Sequence, residues 1–292
     1  MSHREQFRRA ALASNLPDDE VSRFLGHLRL SIRLGGLAGS DGGAPVGRFG
    51  GSPRLPVEGD RQSDGFSHLP FIFSLDCAAL PRVDGFDLPV DGSLLFFLDH
   101  EQDHEAPRTR SRQYARVVHI PAGTETAVAA PSNPELVGEQ YDVSATLVAS
   151  LPDGLTTDEE DMTLFQQQLA RELRSDMPHL DELCALADEL WPSSEGLPSG
   201  YLGGYPDDEV IRAIAERIIN GREREKIRER TLQRADWRSL VREEQRRVTN
   251  EWTSLATFLL DADLYFGRFS IRHDDLAAGR LDKALSLTRF TE

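Results

Sequence analysis

Phe7, Ala10 and Ala11 recur at helical spacing near the start of the chain, with Ser14 on the same face, until Asn15-Leu16-Pro17 interrupts them. A second short helix is predicted to open on Asp18, Asp19 and Glu20, acids that suit a helix N-terminus, and to run through Val21, Phe24, Leu25 and Leu28. Residues 28–34 alternate apolar and polar, the pattern of a half-buried strand, and a glycine-rich loop over 35–51 follows. Residues 69–75 and 93–98 are nearly continuous apolar runs, which predicts strands buried on both faces. Further strands are predicted over 114–121 and 141–151, helices over 158–173 and 178–190, and a loop over 192–206.

Beyond Pro206, Ile211, Ile214, Ala215, Ile218 and Ile219 form one complete apolar helical stripe, which Gly221 ends or pinches. Residues 222–236 are mostly charged, and Trp237, Val241, Val248, Trp252 and Leu255 then resume a helix-compatible face. The end returns to strand, over 257–260, 264–271 and 284–288. Short motifs recur in order. Phe49-Gly50-Gly51-Ser52-Pro53 parallels Leu202-Gly203-Gly204-Tyr205-Pro206; each precedes a strand ending in Leu-Asp (Leu75-Asp76, Leu260-Asp261) and then an aromatic strand (Leu95-Phe96-Phe97, Leu264-Tyr265-Phe266). The reading is a single α+β unit over residues 1–292, with mixed, mostly antiparallel sheets built from two related halves at about 28–150 and 200–292. N-terminal helices precede it, and helices over about 158–252 are inserted into it.

These motifs resemble the YwqG-like family of bacterial cytosolic proteins. Its aromatic-Gly-Gly-x-Pro turn appears as Phe49–Pro53, its Leu-Pro-Phe to Leu-Asp strand as Leu69–Asp76, and its Gly-x-Leu-x-Phe-Phe strand within Gly92–Asp99. The second turn is Leu202–Pro206, and Tyr265-Phe266 with Asp275-Leu276 closes the series in the family's order. The usual Trp-Pro before the first strand is absent, the Gln after the second turn is missing, and the Trp-Gly-Asp stretch is reduced to Asp261-Ala262-Asp263. The resemblance implies a compact α+β protein of the bacterial cytosol and supplies no established reaction. Because some members resemble companions of secreted-toxin loci, it also implies an immunity or partner-binding role.

At 292 residues, 39% hydrophobic and 28% charged, the chain has the composition of a globular protein with a sizeable core. A net charge of −16, from 49 acids against 33 bases, argues against nucleic acid as a partner. The exception is residues 212–247, where 12 Lys or Arg outnumber 7 Asp or Glu. No apolar run is long enough to cross a bilayer, and the opening residues lack the apolar core of a secretory leader, so no membrane association is expected. Cys77 and Cys184 form no CxxC motif or disulfide framework, which points to a reducing compartment, the cytoplasm.

Candidate chemistry is sparse. The paired turns make Gly50, Gly51, Pro53, Gly203, Gly204 and Tyr205 candidates for lining one ligand cleft; the alternative is two tight turns feeding strands. Asp76 and Asp261 end matching strands, as two carboxylates facing one site or as caps of the next turn. The acid- and histidine-rich segment 99–105 lacks the HExxH order and precedes Pro107, so it is read as a solvated acidic loop, with no metal expected. The glycines of 35–43 lack the Lys-Ser/Thr and helix of a phosphate-binding loop, and there is no GxSxG elbow; Cys77 is read as a small hydrophobe beside a strand. Glu223 with Lys226 and Glu225 with Arg228 fit an exposed helix, and Arg224, Arg228, Arg234 and Trp237 are candidates for docking an acidic partner. The leading expectation is a non-enzymatic protein-binding module of regulatory or toxin-immunity type, without a cofactor. The alternative is a small-molecule-binding protein or enzyme using a cleft between the two turns. Catalysis and oligomeric state stay open.

Overall fold

The computed structural model describes residues 1–35, 44–57, 68–105, 113–155, 162–193, 198–228, 233–260 and 264–290. Its strands are β1 (Arg29–Gly35), β2 (Gly47–Phe49), β3 (Arg54–Pro56), β4 (Phe71–Asp76), β5 (Ser93–Leu98), β6 (Ala115–Ile120), β7 (Thr126–Val128), β8 (Tyr141–Ser150), β9 (Gly200–Gly203), β10 (Trp252–Leu260), β11 (Tyr265–Arg272) and β12 (Leu285–Phe290). Its helices are α1 (His3–Ala13), α2 (Asp18–His27), α3 (His100–Glu105), α4 (Leu164–Asp176), α5 (Leu180–Leu190), α6 (Asp208–Arg222), α7 (Arg224–Arg228), α8 (Arg234–Glu251) and α9 (His273–Ala277). The protein is α+β, and the strand pairs with a defined register are all antiparallel. No helix among the described residues is long and apolar enough to cross a membrane.

Two compact units divide the chain: Met1–Ser31, Leu147–Ser194 and Gly204–Thr253 form one, and Ile32–Thr146, Glu195–Gly203 and Ser254–Glu292 the other. The second is built on the ten-stranded sheet, in the order β12-β11-β10-β9-β1-β8-β2-β4-β5-β6. Outward from the central pair β1–β8, one wing runs β9-β10-β11-β12 and the other β2-β4-β5-β6. The continuous apolar runs of β4 and β5 are buried on both faces, as their sequence predicts, because each face has its own cover. On one face Phe71, Leu95 and Phe97 pack with Leu55 of the small β3–β7 sheet and with Leu69 and Ile120. On the other, Phe73 meets Phe258 of β10 edge to face at 5.1 Å and Phe96 meets Phe269 of β11 at 5.6 Å, so the two wings close on each other.

Four expectations need correction here. Segment 99–105 is not a solvated loop but helix α3: the Asp99 side chain accepts from the Gln102 N–H (3.1 Å) and its carbonyl from the Asp103 N–H (2.9 Å), which together start the helix. His100 and Asp103 are buried, the carboxylate of Asp103 accepting from Ser286 Oγ (2.7 Å) and Thr288 Oγ1 (2.8 Å) of β12. Burial pushes the Asp103 carboxyl up, against the pull of those two hydroxyls. In addition, Trp252 and Leu255 belong to β10 rather than to the preceding helix, which ends at Glu251. The loop expected over 192–206 contains the short strand β9, and the glycine-rich stretch contains β2.

The other unit is helical. Phe7 of α1 stacks on Phe24 of α2 at 5.1 Å and on Trp191 after α5 at 6.4 Å, while α6 packs along α8. Arg29, just beyond α2, donates to the carbonyls of Thr249 (2.8 Å) and Trp252 (2.9 Å) at the C-terminal end of α8, where the helix dipole favours a cation. Its guanidinium lies 3.8 Å from the centre of the Tyr205 ring.

Buried Glu20 of α2 accepts from the N–H of His179 (2.9 Å) and contacts its ring Nδ1 (2.9 Å). Burial alone would raise the Glu20 carboxyl, but the two hydrogen bonds and the charge of His179 outweigh it and hold the group below its ordinary 4.5. The bond to Glu20 raises His179 above its ordinary 6.5. A carboxylate lowered by folding adds stability above its unfolded value, lost as pH falls through the folded one; a histidine raised by folding adds stability below its unfolded value, lost as pH rises through the folded one. Both contributions are therefore in force between 4.5 and 6.5. Urea unfolding is expected to show a higher midpoint at pH 5.5 than at pH 8, and His179→Ala to flatten that difference. An unchanged difference in the variant would assign it to other groups.

Candidate ligand cleft

Four aromatic side chains lie in register across neighbouring strands of the sheet unit. Tyr141 of β8 stacks on Phe49 of β2 at 5.5 Å, Phe49 on Phe73 of β4 at 4.5 Å, and Phe73 on Phe96 of β5 at 4.2 Å, all with interplanar angles of 13°. The register explains the ladder: Phe49 is directly opposite both Tyr141 and Phe73, and Phe73 opposite Phe96. Its inner members are buried, while Tyr141 at the outer end is half-buried.

At that outer end opens a cleft of about 690 Å³ within the sheet unit. Phe49, Gly50 and Tyr141 form one wall, Leu259 and Leu260 of β10 contribute apolar surface, and His100 and Glu101 enter from the start of α3. The rest comes from Ile72 of β4 and from residues 135–139, where Glu135 and Glu139 are exposed. This stretch leaves a short 3-10 turn, Pro134–Leu136, whose N-cap Asn133 has φ 48°, and runs close past Gly50. A Cβ on Gly50, which has φ 65°, would overlap the carbonyl oxygens of Gly138 and Glu139, so only glycine admits this approach.

The first turn is thus partly a ligand wall: Gly50 lines the cleft, whereas Gly51 (φ 72°) holds the Gly138 carbonyl through its N–H at 3.3 Å and Pro53 is buried. The cleft lining includes none of Asp76, Gly203, Gly204 or Tyr205. Asp76 is exposed at the end of β4, and its side chain accepts from the Ala78 N–H at 2.9 Å, which is a turn cap. Asp261 lies outside the described residues. The second turn has the same left-handed glycine pair, Gly203 at 77° and Gly204 at 78°, but Gly204 and Tyr205 serve packing in the helical unit. A Cβ on Gly204 would overlap Ser31 Oγ and Ser150 Oγ, and the Tyr205 hydroxyl donates to the His27 carbonyl at 2.9 Å. Glu135, Glu139 and Tyr141 are cleft residues that the sequence reading does not single out, and Glu101 is read there only as part of the acidic segment 99–105; the stacking partner Phe49, next to the first Gly-Gly pair, was the available signal.

Residues 47–288 match the model of a domain of unknown function, DUF1963, which covers most of the 292-residue chain. The chain belongs to this family. No curated protein matches it. The match runs from the start of β2 into β12 and takes in the lining residues of the cleft.

Elsewhere in this DUF1963 protein, the arginine-rich segment forms α7 and α8 of the helical unit. Arg224, Arg228 and Arg234 are exposed; Trp237 is half-buried, its indole N–H donating to Asn220 Oδ1 at 3.0 Å. Much of the surrounding positive charge is met by acids of the same unit: Arg222 with Glu244 (2.7 Å), Lys226 with Glu223 (2.8 Å) and Arg246 with Glu172 (2.7 Å). Burial pushes the thiols of Cys77 and Cys184 up to about 11 each, so both are protonated and poorly nucleophilic near neutrality.

Proposed function

We propose that this DUF1963 protein binds a small molecule in the cleft at the outer end of the aromatic ladder. The observation that carries the reading is the cleft itself, about 690 Å³ with an apolar wall of Phe49, Tyr141, Leu259 and Leu260 and a few polar groups converging on it. Volume and lining are those of small-ligand sites, and the ladder behind the wall fixes its shape in advance of binding. The arginine-rich helices support a protein-docking role less well, since acids of their own unit already engage several of their cations. Finer kinship with the YwqG-like proteins is part of the proposal and is supported by the order of the shared motifs. So is descent from two related halves: outward from β1–β8, each wing begins with a strand leading into a Gly-Gly turn, followed by the Leu-Asp strand and the aromatic strand.

A fragment library titrated into isotope-labelled protein is expected to shift the backbone amides of Gly50, Gly138 and Tyr141. Leu136→Trp, which fills the cleft from its 3-10 turn, is expected to abolish those shifts without lowering the melting temperature. Hits that cluster away from these amides, or that persist unchanged in Leu136→Trp, would refute the reading.

A further inference from the structure

The polar lining of the cleft is one-sided. Among the described residues that line it, the charged side chains are the carboxylates of Glu101, Glu135 and Glu139, with neither lysine nor arginine. All three glutamates are exposed, and none makes an ion pair among the described residues. Elsewhere the same chain pairs exposed acids with nearby arginines, as in Arg48 with Asp142 at 3.2 Å, one residue beyond the cleft. On the wall of the cleft the N–H of Gly50 is already used by the Ile72 carbonyl at 2.7 Å, and that of Gly51 by the Gly138 carbonyl at 3.3 Å. An anion entering here would meet the like charge of these carboxylates. A cation would meet three carboxylates, and the half-buried Tyr141 ring would offer it an aromatic surface.

We infer that the ligand of this cleft is an organic cation, an amine or quaternary ammonium group carried on an apolar body. The inference rests on the ligand-binding reading above and narrows it. The apolar body packs against Phe49, Leu259 and Leu260, while the cationic group turns toward the glutamates at the opening. Because the glutamates are solvent-accessible, their attraction is screened by salt, so affinity for the cation falls with ionic strength and affinity for the apolar body does not.

The test uses three probes that share a benzyl body and differ in charge: phenethylamine, phenethyl alcohol and phenylacetate, each titrated into the full chain and followed at the amides of Gly50 and Gly138. The amine is expected to bind about ten-fold tighter than the alcohol at low salt, and the phenylacetate weakest. The double variant Glu135→Gln, Glu139→Gln is expected to erase most of the amine's advantage while leaving the alcohol's affinity unchanged. Raising the salt concentration is expected to act in the same direction. If the alcohol or phenylacetate binds as tightly as the amine, or the advantage survives the double variant, the cation inference is overturned while the cleft stands as a ligand site. If no probe of any charge moves these amides, the ligand-binding reading falls too.

Discussion

Phe73→Ala is expected to lower the unfolding free energy by about 4 kcal/mol, within the range of roughly 3–5 kcal/mol for truncating a buried phenylalanine. Phe73 is fully buried, and its ring touches both neighbours of the ladder and the opposite wing. Its removal forfeits the transfer energy of the ring, leaves a cavity between Phe49 and Phe96, and breaks the edge-to-face contact with Phe258. Each such aromatic pair adds about 0.5–1.5 kcal/mol beyond area burial. Domains of this kind have only about 5–15 kcal/mol in all, so the variant is expected to be partly unfolded under mild heating. Phe73→Leu, which keeps most of the volume, is expected to lose less than half as much. Urea denaturation of the three proteins measures both values. A loss below about 2 kcal/mol for Phe73→Ala would show that the wings close without the ladder.

Arg29→Met is expected to destabilise the helical unit by about 3 kcal/mol, because it leaves several carbonyls without their donor at once. The guanidinium serves Thr249 and Trp252 at the end of α8, with longer contacts to Asn250 (3.4 Å) and Gly204 (3.5 Å), and covers the face of Tyr205. Methionine fills similar space but donates nothing, so the comparison isolates the polar role from packing. Lysine keeps the charge without the planar fork that reaches two carbonyls at once, and Arg29→Lys is expected to recover about half the loss. Burial draws the Arg29 pKa down from its ordinary value, against the pull of the Tyr205 hydroxyl. Hydrogen exchange at the last turn of α8 should accelerate in Arg29→Met before the rest of the unit responds. Uniform acceleration, or a loss under about 1 kcal/mol, would place the stability of this junction elsewhere.

Much of the secondary structure was legible because it depends on local pattern. The apolar stripe from Ile211 to Ile219 gave α6, and the two uninterrupted runs gave β4 and β5 with both faces buried. The paired glycines declared their left-handed backbone. The failures share a cause. Three-residue strands such as β2, β3 and β7 have too few residues for a period to appear; they are strands because a neighbour supplies their hydrogen bonds. The helix at His100–Glu105 was missed because its polar composition reads as loop. Its stability comes from the Asp99 cap and from burial of Asp103 against Ser286 and Thr288, more than 180 residues away in sequence.

The sequence by itself determined an α+β chain, the two Gly-Gly turns, the order of the motifs that both wings repeat, and an acidic surface with one basic stretch. Each of these follows from composition or from spacing along the chain. Only the tertiary structure decided which turn faces a cleft and which is packing. Both have the same glycine pair, but Gly50 lies against the chain at 138–139 whereas Gly204 lies against Ser31 and Ser150. Likewise, nothing in the sequence brings Glu101 to Glu135 and Glu139. They come from two segments apart in the chain, and their shared charge becomes one field only when the strand register stacks Tyr141 on Phe49 and folds both segments around that wall.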